Sequence, residues 1–187
     1  KAGYKFNFMK RGPDGQVVDP YAESPALGYK AMRDNRELEI FPTEGGFGSA
    51  NEAAVNHPLL ADSGRTFADG SPATNNDLFR AVHDSFGHFG SGNAFFRAPG
   101  EDRAFQLHAT MYSPKAQGAM TSELRGQNSW LNYGPHGEAN RTASAGDTIF
   151  ADQKTGLLPS SAWSEGMAAT APTNVPFLMQ QPLGYDE

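Results

Sequence analysis

Two imidazoles five positions apart, in the run His83-Asp84-Ser85-Phe86-Gly87-His88, are the residues of this chain best suited to chemistry. Imidazole nitrogens hold first-row metals, and two of them with one carboxylate leave open positions that suit a reactive ferrous ion. On a regular helix, residues five apart lie about 140° apart, unlike the four-residue spacing of the zinc-protease pair H-E-x-x-H. That argues against a zincin. For the two rings to converge, the helix must end or widen here, and Gly87 offers the backbone freedom for it. The competing reading is structural, with His83 buried and His88 satisfied at a helix C-terminus.

Candidates for a third ligand are Asp84, Glu101, Asp102, Glu123 and Glu138. Glu123 stands out because Met120 and Leu124 flank it in a stretch of small and apolar residues, AMTSELRG, so its side chain can point inward. Its plainer reading is a surface pair with Arg125 or Lys115. With His83, His88 and Glu123 as the ligand set, Asp84 would orient a ring by accepting its distal N–H. Arg65 could clamp a substrate carboxylate. His108 is expected to pack or hydrogen-bond within the fold, support of a metal ligand being the lesser reading, and Trp130 and Tyr133 either line a pocket near Glu123 or fill the core.

These residues need elements to place them. Thr74-Asn75-Asn76-Asp77 offers N-caps for a helix carrying Leu78, Phe79, Val82 and Phe86 at helical spacing, ended by Gly87 and Gly90. A second helix is predicted over 100–112, and a third opens at Ser113-Pro114 and closes at Gly126. Upstream, Tyr4, Phe6 and Phe8 alternate as a strand, 25–38 reads as a helix and 38–41 as a strand. The dense punctuation of 43–73 predicts loops around a short helix at 50–56, and 127–187 reads as loops with a strand near 147–151. The sum is one α+β domain over 1–187, with a helical centre at about 74–126, loop-rich flanks and a few short strands.

Composition bounds the partners. The 187 residues include 21 Gly, 13 Pro and 13 Phe, too many breakers for a helical bundle and too many aromatics for a disordered chain. A net charge of -6 without a basic cluster argues against general nucleic-acid binding and leaves a small-molecule substrate as the expected partner. No Cys is present, which removes disulfides, iron–sulfur clusters and thiol nucleophiles. No apolar run is long enough to span a membrane, and the first residues lack the apolar core of a signal peptide. A cytoplasmic location is expected. GGFGSA at 45–50 has no leading strand and no following Lys-Ser/Thr, so it is not a P-loop, and no G-x-S-x-G elbow accompanies the serines.

The run DLFRAVHDSFGHF resembles the iron-binding segment of the biopterin-dependent aromatic amino acid hydroxylases, which carry a His, an acidic residue, two further residues and then Gly-His at a helix end. In that family a Glu on the second following helix completes the site, and Glu123 falls 35 positions after His88. The resemblance covers about residues 74–126. It implies Fe(II) held by a facial triad of His83, His88 and Glu123, monooxygenase chemistry and a pterin cosubstrate. The segment from Arg125 to Pro159 also resembles uncharacterised proteins of tailed phages, which implies a host-cell or virion-associated location. Two other readings stand beside it. An HD-type phosphohydrolase would hold a different divalent metal with His57, His83-Asp84 and Asp147 or Asp152. A phage structural or interaction module would use the His pair only for packing.

Overall fold

The computed structural model describes residues 3–46, 56–91, 98–144, 147–151 and 156–163. Strand β1 (Lys5–Phe8) pairs in parallel with β2 (Glu37–Ile40), with Lys5 opposite Glu37 and Phe8 opposite Ile40. Parallel neighbours need a crossover, and helix α1 (Pro25–Asn35) supplies it. Ser24 caps α1 by accepting from the Ala26 N–H at 3.2 Å, and Pro25 sits in the first turn, where its missing N–H costs nothing. Arg36 ends the helix with φ of 54°, so the helix stops short of the expected residue 38 and the strand begins at once.

A short helix, α2 (Thr43–Gly46), precedes an antiparallel hairpin of β3 (Asp62–Thr66) and β4 (Pro72–Thr74). This hairpin lies where loops were expected. Most of β3 is solvent-exposed, so its sequence, DSGRT, shows no apolar alternation by which to recognise it. Of the helix expected at 50–56, residues 50–55 lie outside the described residues.

The helical centre follows. Helix α3 (Asn75–Val82) runs into a π-helical turn at His83–His88. Beyond it come α4 (Ala98–Ala109) and α5 (Pro114–Thr121), a second π turn at Ser122–Gly126, α6 (Gln127–Tyr133) and α7 (Gly137–Asn140). Gly126 therefore does not close a helix: with φ of -60° it passes the chain on into α6. The segment expected as a strand near 147–151 is pinned by a side chain instead, the Asn140 amide donating to the Ile149 carbonyl and accepting from its N–H, each at 2.9 Å.

The main core joins the sheet to the helical centre. Met32, Leu38, Ile40, Phe67, Ala73, Ala81 and Phe89 are buried together, with Tyr4, Phe6 and Phe8 packed on them. A smaller cluster of Phe105, Ala109 and Met120 joins α4 to α5. The fold is thus a mixed α+β arrangement, helical at its centre, as composition and pattern led us to expect. Among the described residues no helix is long and apolar enough to cross a membrane.

Candidate metal centre

The start of α3 is fixed first. Thr74 and Asp77 form a reciprocal capping box: the Thr74 hydroxyl accepts from the Asp77 N–H at 3.1 Å, and the Asp77 carboxylate accepts from the Thr74 N–H at 2.8 Å. Asp77 also accepts from the Thr43 N–H at 3.0 Å and the Thr43 hydroxyl at 2.5 Å, tying α3 to the start of α2. Burial opposes the charge, but these bonds outweigh it and hold the carboxyl below the usual aspartate range.

The π turn then does what a regular helix cannot. Bonding each N–H to the carbonyl five residues back widens the turn by one residue, so positions 83 and 88 come to one side. The Nε2 atoms of His83 and His88 lie 3.0 Å apart with the rings nearly perpendicular, at 89°. Gly87 contributes differently from the expectation, because its φ is not positive and no special freedom is used. Its role is close approach: a Cβ there would sit 3.1 Å from the Ala104 Cβ, so the absence of one lets α4 press against the turn.

That approach delivers the carboxylate. Glu101, one turn before Ala104 on α4, places its oxygens 3.4 Å from His83 Nε2 and 3.3 Å from His88 Nε2. His83, His88 and Glu101 form the described group of potential ligands whose donor atoms all lie within 4.8 Å of one another. Metal–ligand bonds of about 2.1 Å place donors about 3.0 Å apart at a right angle and about 3.4 Å apart at a tetrahedral one. The His83–His88 separation falls in that interval, and so does the approach of one Glu101 oxygen to each ring (Oε2 to His83, Oε1 to His88), so the group is of a size to hold one small divalent ion.

The electrostatics agree. Burial raises the Glu101 carboxyl, but hydrogen bonding and charge from His83 and His88 outweigh it and hold the group at about 2. It is therefore a carboxylate, the form a metal takes. His88 is fully buried and the His83 side chain is 12% exposed, with Phe79 stacked parallel to the His83 ring at 6.3 Å. Burial pushes the Asp84 carboxyl up, against the pull of His83, His88 and Arg80.

Glu123 is not part of that described group, whose carboxylate is Glu101. Glu123 sits on the second π turn, where burial raises its carboxyl while the charges of His57, Arg80 and His83 draw it down. The His83 ring makes no hydrogen bond to Asp84 among the described residues. The Nδ1 of His83 faces His108 Nδ1 instead, at 3.3 Å. Arg65 is exposed on β3. His57 caps a short turn, its Nδ1 accepting from the Leu59 N–H at 3.2 Å, and Asp147 is exposed, accepting from the Ser144 hydroxyl at 2.6 Å. Asp152 lies outside the described residues. Trp130 lies 5.9 Å from the His136 ring and Tyr133 is 78% exposed, so Tyr133 fills no core.

One signal for Glu101 and His108 was in the sequence. Positions 101, 105 and 108 follow one another at helical spacing, which puts Glu101, Phe105 and His108 on one face of α4, with Tyr112 just past its end. What no spacing reveals is which face α4 turns to the π turn. Comparison with protein-family models, curated proteins and solved structures finds no match to this chain.

Proposed function

We propose that this chain is a mononuclear non-haem iron protein of the hydroxylase type, with His83, His88 and Glu101 as the ligands of one ferrous ion. The observation that carries the reading is the convergence of two imidazole nitrogens and one carboxylate within bonding reach of a single point. The ion, when bound, supplies activation of dioxygen for insertion into an unactivated or aromatic C–H bond. The protein holds the ligands and keeps water from one side. His88 is sealed in the core, and Phe79 covers His83. A cleft of about 290 Å³ beside α4 is lined by Phe105, one turn past Glu101, and by Arg125 and Trp163. The pterin cosubstrate rests on the likeness to the hydroxylases alone.

The test is metal analysis of protein purified without chelator, beside His83→Ala, Glu101→Gln and Glu123→Gln variants. We expect iron at one ion per chain in the parent and in Glu123→Gln, and its loss in the other two. Metal that survives Glu101→Gln but is lost from Glu123→Gln would restore Glu123 as the third ligand. Metal that depends on His57 or Asp152 would favour the phosphohydrolase. A folded protein without metal in every preparation would favour the structural module.

A further inference from the structure

The buried pair His83–His108 has a role that the ligand set alone does not give it. His108 is fully buried on α4, seven residues after Glu101, and its Nδ1 lies 3.3 Å from the Nδ1 of His83. Its Nε2 is also buried and has no hydrogen-bond partner among the described residues. The rings of Phe79 and Tyr112 lie beside it, at 5.2 and 5.0 Å between centroids.

We propose that His108 is the positioning residue that fixes the tautomer of His83, and that metal loading reverses the hydrogen bond between them; this rests on the metal reading above. A neutral imidazole carries one N–H, so one Nδ1 must donate and the other accept. Without metal, His83 keeps its proton on Nε2, directed at the Glu101 carboxylate. Its bare Nδ1 then accepts from His108 Nδ1–H, and His108 Nε2 is left as a lone pair, so no buried donor is orphaned. A metal ion on His83 Nε2 needs that nitrogen's lone pair, so the ring's proton must sit on Nδ1. The Nδ1–Nδ1 bond then runs the other way, from His83 to His108, and His108 carries its proton on Nε2, a buried donor without a partner among the described residues, so only the metal bond favours this arrangement. Each ring holds one proton before and after: the bridging proton changes owner, His83 Nε2 releases one to solvent and His108 Nε2 takes one up from solvent. A metal-bound His ordinarily donates its second N–H to a carboxylate or carbonyl. Here an imidazole takes that place, and it alone can hand the same bond over in either direction.

The experiment is long-range proton–nitrogen NMR of the ring nitrogens, on the full chain metal-free and loaded with Zn(II) as a diamagnetic probe. The expected result is His108 protonated at Nδ1 without metal and at Nε2 with it, and His83 the opposite. Zn(II) titration of two variants with unchanged circular dichroism supplies the second measurement. His108→Phe, which keeps a planar aromatic ring and removes the acceptor, should bind about 10–100-fold more weakly. His108→Asn, whose side-chain oxygen can stand in for Nδ1, should recover most of that loss. Unchanged ring protonation on loading, or His108→Phe binding as tightly as the parent, overturns the proposal and leaves the ligand set intact. A parent chain that binds no Zn(II), Co(II) or Fe(II) overturns both.

Discussion

Glu101 is ready for a metal in a way that Glu123 is not. A ligand carboxylate must be ionised, and the neighbouring His83 and His88 hold Glu101 at about 2, whereas burial pushes Glu123 up. We therefore expect Glu101→Gln to weaken Fe(II) or Co(II) binding by more than about 100-fold, beyond the usual loss from an outer partner. Glu123→Gln should stay within about tenfold, and anaerobic titration reads both. Asp77 carries a different consequence, for stability. Its folded carboxyl lies below the usual value, so its contribution is fully present above about pH 4, the unfolded range, and is lost as pH falls through the folded value. Asp77→Asn should cost about 2–3 kcal/mol at pH 7, as the four charge-assisted bonds from Thr43 and Thr74 are weakened or lost. The gap between parent and variant in urea unfolding should narrow as pH falls from 4 toward 2; a constant gap would deny the carboxylate its role.

At the scale of elements, two glycines set how closely the helices meet. A Cβ on Gly87 would press on Ala104 Cβ at 3.1 Å and on His83 Nδ1 at 3.4 Å, pushing α4 and Glu101 off the π turn. Gly87→Ala should therefore weaken metal binding and cost about 1–3 kcal/mol, the range for overpacking a close contact. A Cβ on Gly28 would collide with the buried ring of Phe89, next to His88, so Gly28→Ala should lower the melting temperature more than Gly87→Ala does. Equal effects would mean that Phe89 has room to turn. The same contacts show what was legible beforehand. The His pair, the need for a widened helix and the capping signal at Thr74 are local, and local pattern reveals them. Which carboxylate lies beside the two imidazoles is tertiary: Glu101 does so because of how α4 returns to the π turn, and Glu101 and Glu123 both looked eligible. The second π turn was hidden because Gly126 reads as a stop, yet Arg125 pairs with Asp102 and lies over Phe105 at 4.4 Å, holding the chain helical past it. The exposed hairpin had no apolar signal to read.

For the whole molecule, the centre links parts that the chain separates. His83 and His88 continue the helix whose Ala81 and neighbouring Phe89 belong to the main core, while Glu101 sits on the helix whose Phe105 and Ala109 form the smaller one. An ion bound by all three would join the two cores, and unfolding either would release it. Binding to the folded state alone adds RT ln(1 + [L]/Kd), about 2.7 kcal/mol at a hundredfold excess over Kd. For a chain of 187 residues each kcal/mol moves the midpoint by roughly 2–4 °C. The melting temperature should then rise by roughly 5–10 °C on adding Co(II) or Zn(II) at that excess, in a single sharpened transition. Glu101→Gln should show little of the rise, and His57→Ala should keep it, since His57 is not among the ligands. Two transitions, with metal shifting one of them only, would mean that the cores unfold independently and that the ion is held by the π turn without α4.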